Sequence, residues 1–587
     1  MRTATASPLA AAARDARSRL RTAAPELADS FDANLERAAE VISRRLLGAF
    51  ARENPAGAAM IDEGALGPVS VCRHGFGRIE VHDLAGAGAD PAVLLDRLVG
   101  DDAGRAGVAR ELLDATVNLA LAYARAPSSV AYARSPSAGA YLFRVPPDAD
   151  EHAAALERLA TEGHNLHPCA RTRLGWSTEE VLAYDLEAVR VPVGFVAVRR
   201  DLHLGDDVGR LVLDALPGAP DPRRYAVVPV HGWQRDRIRR GRHADLVAAG
   251  ALLPLDAELT ASTTAAIRTV LLPNERNGVR YLKLALDIQI TSTRRSISVA
   301  STHNGPILSR LVARLLTEAP GGERVLVLGE PASCAVLAPA GRGTPPDFSE
   351  RDFSAIARSG LSGRLGDGRE IAVPGAALYA ASPGTGAPVL AEIVDRFAAA
   401  RGLRDRAAAA LGFIGEYATM LLPPLLWLAT RHGIGLEAHL QNCVPTFVDG
   451  VPHRLALRDM AGLRVHPPRL SGAADLWPGS VVVTDDVEVL RAKVAYTALQ
   501  AHLGELVVRL VYSHGLDEPA AWRAVRTVVD ELYDGLRADP IAADRARADH
   551  AFLTADVVPH KALLEMRLAA YRGWAGDRHV PVENPLR

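Results

Sequence analysis

Apolar positions recur every three or four residues from about Pro8 to Arg125, as in DANLERAAEVISRRLLGAF and VARELLDATVNLALAYARA, a spacing that predicts helices with one buried face. The interruption is VSVCRHGFGRIEV, Val69 to Val81, where short alternation and two glycines predict a β-hairpin. Between Glu187 and Leu378 the texture changes to short runs rich in β-branched residues, VRVPVGFVAVRR, YAVVPV, YLKLALDIQITST and RVLVLG, each bounded by Gly, Pro, Asp or Asn. These predict strands. Gly384 and Gly386 in SPGTGAP read as a hinge, after which VLAEIVDRFAAARG opens a mainly helical part. The expected fold is α+β in three lobes: helical residues 1–150, a β-rich lobe 151–385 and a helical lobe 386–587.

The most apolar run, AAAALGFIGEYATMLLPPLLWLA ending at Ala429, contains Glu416, Pro423 and Pro424, all costly at bilayer depth. It reads as a buried helix followed by a turn, so no membrane span is expected. At 587 residues the chain exceeds one ordinary core and fits a multi-lobed enzyme. Its 67 basic and 69 acidic residues give a net charge of -2 with no single-sign block, which argues against a dedicated nucleic-acid binder. Any anion must therefore meet a local basic cluster. Four dispersed cysteines without a CxxC pair point away from a disulfide framework or structural zinc and suit a reducing cytoplasm. The opening MRTATASPLAAAARDARSRL reads as no export signal, because Arg14 and Asp15 interrupt it.

Three clusters carry candidate chemistry. GHNLHPCARTRLGW, Gly163 to Trp176, places His164, His167, Arg171 and Arg173 so close that they repel unless an anion sits among them; guanidinium forks suit phosphate or carboxylate oxygens. A solvated loop with one core histidine is the plainer alternative. The second cluster supplies Arg268, Thr269, Lys283, Thr291, Thr293, Arg294 and Arg295; a strand through KLALDIQIT would put Lys283, Ala285, Asp287 and Gln289 on one face. A triphosphate would match that charge, and an edge strand defended by charge is the alternative. The third is GIGLEAHLQNCVPTF with Arg458 and Asp459 beyond it, where an extended chain projects Glu437, His439 and Gln441 from one face. Glu437 and Asp459 are hard oxygen ligands suited to Mg2+, and His439, Gln441 and Asn442 can hydrogen-bond a nucleotide or substrate.

Taken in order, these segments resemble the signatures of the siderophore synthetases that work without a peptide synthetase template, the IucA/IucC-like family. GHNLHPCARTRLGW is similar to GHPxHPxxKxRxG, VVPVHGWQ to PVHPWQ, IRT to SxRT, LKLALDIQITSTRR to KLxLxxxITNSxR, EAHLQN to EAHxQN, RDMAG to RDxxG and KALLEMRL to KALLxMRL. The matches run from Gly163 to Leu568. The resemblance implies a hand-like enzyme with a helical thumb, β-containing fingers and a predominantly helical palm, and ATP in the cleft between fingers and palm. It implies Arg295, His439, His167 and Lys283 as catalytic groups, Arg268, Thr269, Glu437, Gln441, Asn442 and Asp459 around ATP, and Glu437 and Asp459 on Mg2+. Thr291, Arg171 and Lys561 would meet the acid substrate.

The expected protein is a cytoplasmic, homodimeric ligase that adenylates a carboxylate of citrate or a citrate derivative, then condenses it with an amine, hydroxylamine or alcohol, releasing AMP and pyrophosphate. The same chemistry on 2-oxoglutarate, a non-catalytic nucleotide-binding regulatory module, and a metal-dependent hydrolase using the histidine-rich loop are the competing readings. Four positions depart from the family pattern: Asn165 for proline, Arg171 for lysine, Ser292 for asparagine and Ala266 for serine. Thr263 or Thr264 is expected to compensate for the hydroxyl absent at 266. No P-loop and no GxSxG elbow occur.

Overall fold

The computed structural model describes residues 7–84, 89–129, 142–143, 147–213, 215–337, 350–366, 368–472, 474–574 and 576–587. Residues 1–6, which begin the segment read as lacking an export signal, and most of 130–146 in the first expected lobe lie outside them.

The 3.6-residue spacing of the N-terminal part becomes helices Pro8–Ala23, Ala28–Glu53, Pro91–Val99 and Arg105–Ser129. Phe31, Ile42, Leu46 and Leu47 of one helix meet Leu112 and Leu119 of another in a shared core. Between them the expected hairpin forms, Ser70–His74 against Arg78–Asp83.

The β-branched runs build an eight-stranded sheet whose neighbours are antiparallel, in the spatial order His203–Gly205, Ala332–Val336, Ala355–Arg358, Val279–Leu284, Thr269–Arg276, Leu252–Thr263, Arg190–Arg199, Tyr225–His231. Val279–Leu284 is interior and buried along its length, so the edge-strand alternative falls. Its register sets Lys283 beside Thr269 on one side and Ile356 on the other. The strand expected through KLALDIQIT stops at Leu284, which corrects the single polar face read there. Ala285 N–H donates to the Ser354 carbonyl at 3.0 Å and Leu286 N–H to that of Arg295 at 3.1 Å, so the chain leaves the sheet into a hairpin. Gln289–Ile290 then joins Thr293–Arg294 and Arg173–Leu174 in a small sheet. Asp287 and Gln289 turn away from Lys283, to Arg237 at 2.7 Å and to Glu111 at 2.7 Å.

The largest core surrounds the helix Arg406–His432, whose N-terminus is capped by Asp405 and which ends at Gly433, φ +65°. It continues unbroken through Pro423 and Pro424, correcting the expected turn. Each proline removes an N–H at a cost of roughly 3 kcal/mol in a helix. The near-complete burial of Leu421, Leu422, Leu425, Leu426 and Leu428 offsets this at about 2 kcal/mol per side chain. Among the described residues this is the one helix long and apolar enough to cross a membrane, and it packs inside this core against Glu518–Arg537. A second sheet joins Val325–Val327 and Glu370–Ala372 to Cys443–Val448 and Val451–Leu457, and so draws strands from both sides of residue 385. SPGTGAP is a closed turn, with Gly386 N–H on the Ser382 carbonyl at 2.8 Å.

Candidate active site

A cleft of about 1200 Å³ opens between the eight-stranded sheet and the C-terminal half, lined by Arg268, Thr269, Thr291, Arg295, Glu437, His439, Gln441, Asn442, Asp459 and Lys561 among others. The sheet side is cationic. Arg268 Nη1 donates to the carbonyls of Arg295 at 2.9 Å and Ser296 at 3.1 Å, which locks the hairpin carrying Arg295. Among the described residues the Arg295 guanidinium has no carboxylate partner; burial, then Arg268 and Arg173, pull its pKa down to about 9. A cation held at such cost awaits an anion. Three non-glycine residues around the cleft adopt left-handed backbone, Ile267 beside Arg268 at φ +64°, Thr291 at +60° and Asp459 at +70°. Strain of this kind persists only where the surroundings enforce it.

Lys283 sits behind the lining instead of on it. Its Nζ lies 2.6 and 2.8 Å from the two Asp459 oxygens, with Arg358 at 3.6 Å from the same carboxylate. Burial would push the Asp459 carboxyl up, yet Lys283 and Arg358 outweigh it and hold it far below the usual range. The expectation of direct contact by Lys283 is therefore replaced by a positioning role on Asp459.

Opposite, Ile434–Gly435 leads into extended backbone that presents Glu437 and His439, and then Leu440–Asn442 coils into one 3-10 turn, which removes Gln441 from their shared face. Asn442 Nδ2 donates back to the Glu437 carbonyl at 3.0 Å, and Arg458 holds the Gln441 carbonyl at 2.8 Å, so both residues shape the turn. Lys493 pairs with Glu437 Oε1, and Glu437 Oε2 stands 4.0 Å from His439 Nε2. A Cβ at Gly462 would fall 1.8 Å from Glu437 Oε2, which gives the glycine of RDMAG a steric reason. Burial lowers the His439 pKa, so the ring is neutral near pH 7.

The histidine-rich loop departs from expectation. Arg171 is 1% exposed and donates to Asp185 at 3.1 Å and Glu187 at 2.9 Å, and Arg173 also binds Asp185. The anion expected among these cations is thus two buried carboxylates, and Arg171 is corrected from substrate ligand to structural ion pair. His164 and His167 are neutral: burial brings His164 to about 3 and His167 well below its ordinary value. Each Nδ1 accepts a backbone N–H, from Leu166 and Cys169, which leaves Nε2–H as the donor. His167 reaches the cleft in that form.

Thr263 and Thr264 do not replace the hydroxyl absent at Ala266, because their own donate to the carbonyls of Leu186 at 2.9 Å and Thr269 at 2.6 Å. Asn165 ties the loop to Glu505 at 2.7 Å, Ser292 accepts Arg567 on its carbonyl, and Lys561 pairs with Asp577 at 3.0 Å. The sequence reading missed Arg464, Lys493, Tyr496, Trp574 and Asp577, all on the cleft. Arg464 lies five residues beyond Asp459 and was findable by extending the RDMAG segment; the others have no local signal.

A profile of the IucA / IucC family matches residues 152–380. The D-ornithine–citrate ligase of Staphylococcus aureus is 24% identical over 485 residues, covering 76% of this chain and 72% of that protein. Over that stretch the chain is similar to the IucA/IucC family. The fold agrees: the petrobactin biosynthesis protein AsbB of Bacillus anthracis superposes with a TM-score of 0.73 at 18% identity, over 99% of this chain and 98% of that one. ATP-bound aerobactin synthetase IucA of Klebsiella pneumoniae superposes with a TM-score of 0.65 at 18% identity, over 86% and 88%. A profile described as a ferric iron reductase FhuF-like transporter matches residues 413–573. That stretch holds one cysteine, the buried Cys443, and so offers no thiolate set for an iron–sulfur cluster.

Proposed function

We propose that this chain is an IucA/IucC-type enzyme that adenylates a carboxylate of citrate, or of a citrate derivative, and passes the acyl group to an amine, hydroxylamine or alcohol. A carboxylate oxygen attacks the α-phosphorus of ATP and the bond to the β-phosphate oxygen breaks, releasing pyrophosphate. The nucleophile then attacks the acyl carbon, AMP leaves with the C–O bond electrons, and the nucleophile loses its proton. The observation that carries this reading is Arg295: a half-buried guanidinium, without an acid partner among the described residues, facing Glu437 and Asp459 across one cleft. Preorganised cations act most strongly where phosphoryl charge develops in a dry site. Neutral His439 is a base for the nucleophile's proton, with Glu437 at 4.0 Å to steady the imidazolium. His167 and Arg268 would meet the acid and phosphates, and Thr291 and Lys561 the remaining carboxylates.

The donor set fits Mg2+ arriving with the nucleotide. Among the described residues no three acidic, imidazole or thiol side chains gather to hold a metal alone. Mg2+ typically takes one or two carboxylates and completes its shell with phosphates and water. Glu437 and Asp459 would hold it, and it would neutralise phosphate charge. The relatives named as citrate ligases support the acid, with 2-oxoglutarate as the alternative. We further propose a cytoplasmic homodimer built of thumb 1–150, fingers 151–385 and palm 386–587; light scattering of the purified chain checks the mass. The deciding experiment is pyrophosphate release across a panel of acids and amines, with mass spectrometry of the product. Turnover that depends on a polycarboxylic acid is expected, whereas nucleotide binding without turnover would leave the regulatory-module reading in its place.

A further inference from the structure

Helices Val487–Val494 and Gly504–His514 are joined without a break by nine residues of π-helix, Ala495–Leu503. Such a length is uncommon, since π-helix occurs mostly as single-turn bulges, often at functional sites. This one packs against the extended segment that carries Glu437 and His439. Lys493, just before it, pairs with Glu437. Thr497 shares its hydroxyl proton between the Lys493 carbonyl at 2.9 Å and the Leu436 carbonyl at 3.4 Å. His502 donates from Nδ1 to the Ala438 carbonyl at 3.0 Å and accepts on Nε2 from the Tyr417 hydroxyl at 2.8 Å, which fixes one tautomer.

Each of those two carbonyls belongs to the peptide group leading into a cleft-facing side chain, 436 into Glu437 and 438 into His439. Thr497 and His502 are five apart. In an α-helix such residues lie about 140° apart around the axis, and His502 would turn away from the segment. The i→i+5 pattern of a π-helix returns them to one face. His502 and Tyr417 are fully buried in the apolar core, and neither lines the cleft.

We propose that the π-helical segment is a positioning device in which His502, backed by Tyr417 and assisted by Thr497, sets the peptide planes that aim His439 and Glu437 into the cleft. His502 is a positioning residue here, because it touches the backbone and not the ligand. The inference rests on the adenylating reading above for its effect on turnover. It explains why a polar imidazole occupies this core: burying it costs free energy unless both nitrogens are satisfied, and the partners that satisfy them are Tyr417 and the peptide before His439.

The test compares His502→Leu, which removes both hydrogen bonds, with His502→Asn, whose amide can occupy the Nδ1 donor position, and with the isosteric Thr497→Val. In full-length protein, His502→Leu is expected to lower kcat for acid-dependent pyrophosphate release by about 30- to 100-fold with KM for ATP within about threefold, the size of loss that small misplacement of reacting groups produces. His502→Asn should recover most of it, and Thr497→Val should lose about three- to tenfold. Hydrogen exchange across residues 434–442 is read on the same proteins, and should quicken about tenfold in His502→Leu and return in His502→Asn. Equal impairment of the Leu and Asn variants, unchanged exchange, or losses that vanish once the folded fraction is corrected for would overturn the proposal. Wild-type protein without turnover on any acid sinks the adenylating reading alone, and the exchange data then decide the positioning role. If His502→Leu does not fold, Thr497→Val and His502→Asn carry the comparison on the same two measurements.

Discussion

The loop Gly163–Trp176 and the hairpin from Ala285 to Arg295 are equally rich in arginine, and the fold treats them oppositely. In the loop, Arg171 and Arg173 close on Asp185 and Glu187, carboxylates from the same chain, and all four are shut away from water. In the hairpin, Arg294 reaches back to Asp287, whereas Arg295, braced from outside the hairpin by Arg268 on its carbonyl, finds no acid for its side chain among the described residues. One cluster has its anions built in and the other turns an uncompensated charge toward a cleft. The difference teaches that a run of cations reports a need for anions, and that the third dimension decides whether the chain or a ligand supplies them.

The hardest blow to that contrast comes from Arg295→Ala. Losing a preorganised cation aimed at developing phosphoryl charge should lower acid-dependent pyrophosphate release by about 10²- to 10³-fold. The melting temperature should hold or rise slightly, since no folded partner is orphaned and a costly buried charge is removed. Arg171→Ala should do the reverse. It leaves Asp185 and Glu187 buried with one fewer partner, a loss of about 3–5 kcal/mol for breaking a buried pair, read by denaturant unfolding. Activity per folded molecule should stay within a few-fold. If Arg171→Ala were stable and inactive, the loop would be a ligand site after all.

Much of this was legible before the fold. The helical spacing and the Ser70–Asp83 hairpin follow from local pattern, and the convergence of Arg268, Arg295, Glu437, His439 and Asp459 was implied by the family resemblance of segments taken in order. Other features were hidden for physical reasons. Alternation of period two continues past Leu284, so the pattern cannot say that Ala285 hydrogen-bonds Ser354 and leaves the sheet, or that Arg237 draws Asp287 to the far side. A pair of prolines argues for a turn until the leucines around them are known to be buried, at which point packing outweighs two missing N–H groups. Lys283 carries the right charge in the right strand, yet its partner Asp459 is 176 positions away, and only the fold places it between lysine and cleft. The π-helix escaped for the same reason: YTALQAHL reads as ordinary helix, and its wider turn answers to carbonyls sixty residues upstream.

The subtlest test of the contrast is a proton count. With its pKa pulled down to about 9 in the free protein, well below the ordinary arginine range, Arg295 is near half charged at pH 9 and fully charged at pH 7. A bound triphosphate favours the charged form and raises that pKa, so nucleotide binding at pH 9 should take up about half a proton, and binding at pH 7 almost none from this group. The stability of the ligand-free protein must move the other way. From about pH 9 upward, until the ordinary arginine range is reached, the folded state binds fewer protons at Arg295 than the unfolded chain does, so this group's contribution to stability improves as pH rises through that window while affinity for the anion falls. Calorimetric titration with a non-hydrolysable ATP analogue, repeated at pH 9 in two buffers of different ionisation enthalpy, reads the uptake directly. Arg295→Ala should abolish it and Arg171→Ala should leave it intact. Equal uptake in both variants would place the titrating group elsewhere and erase the distinction between the two arginine clusters.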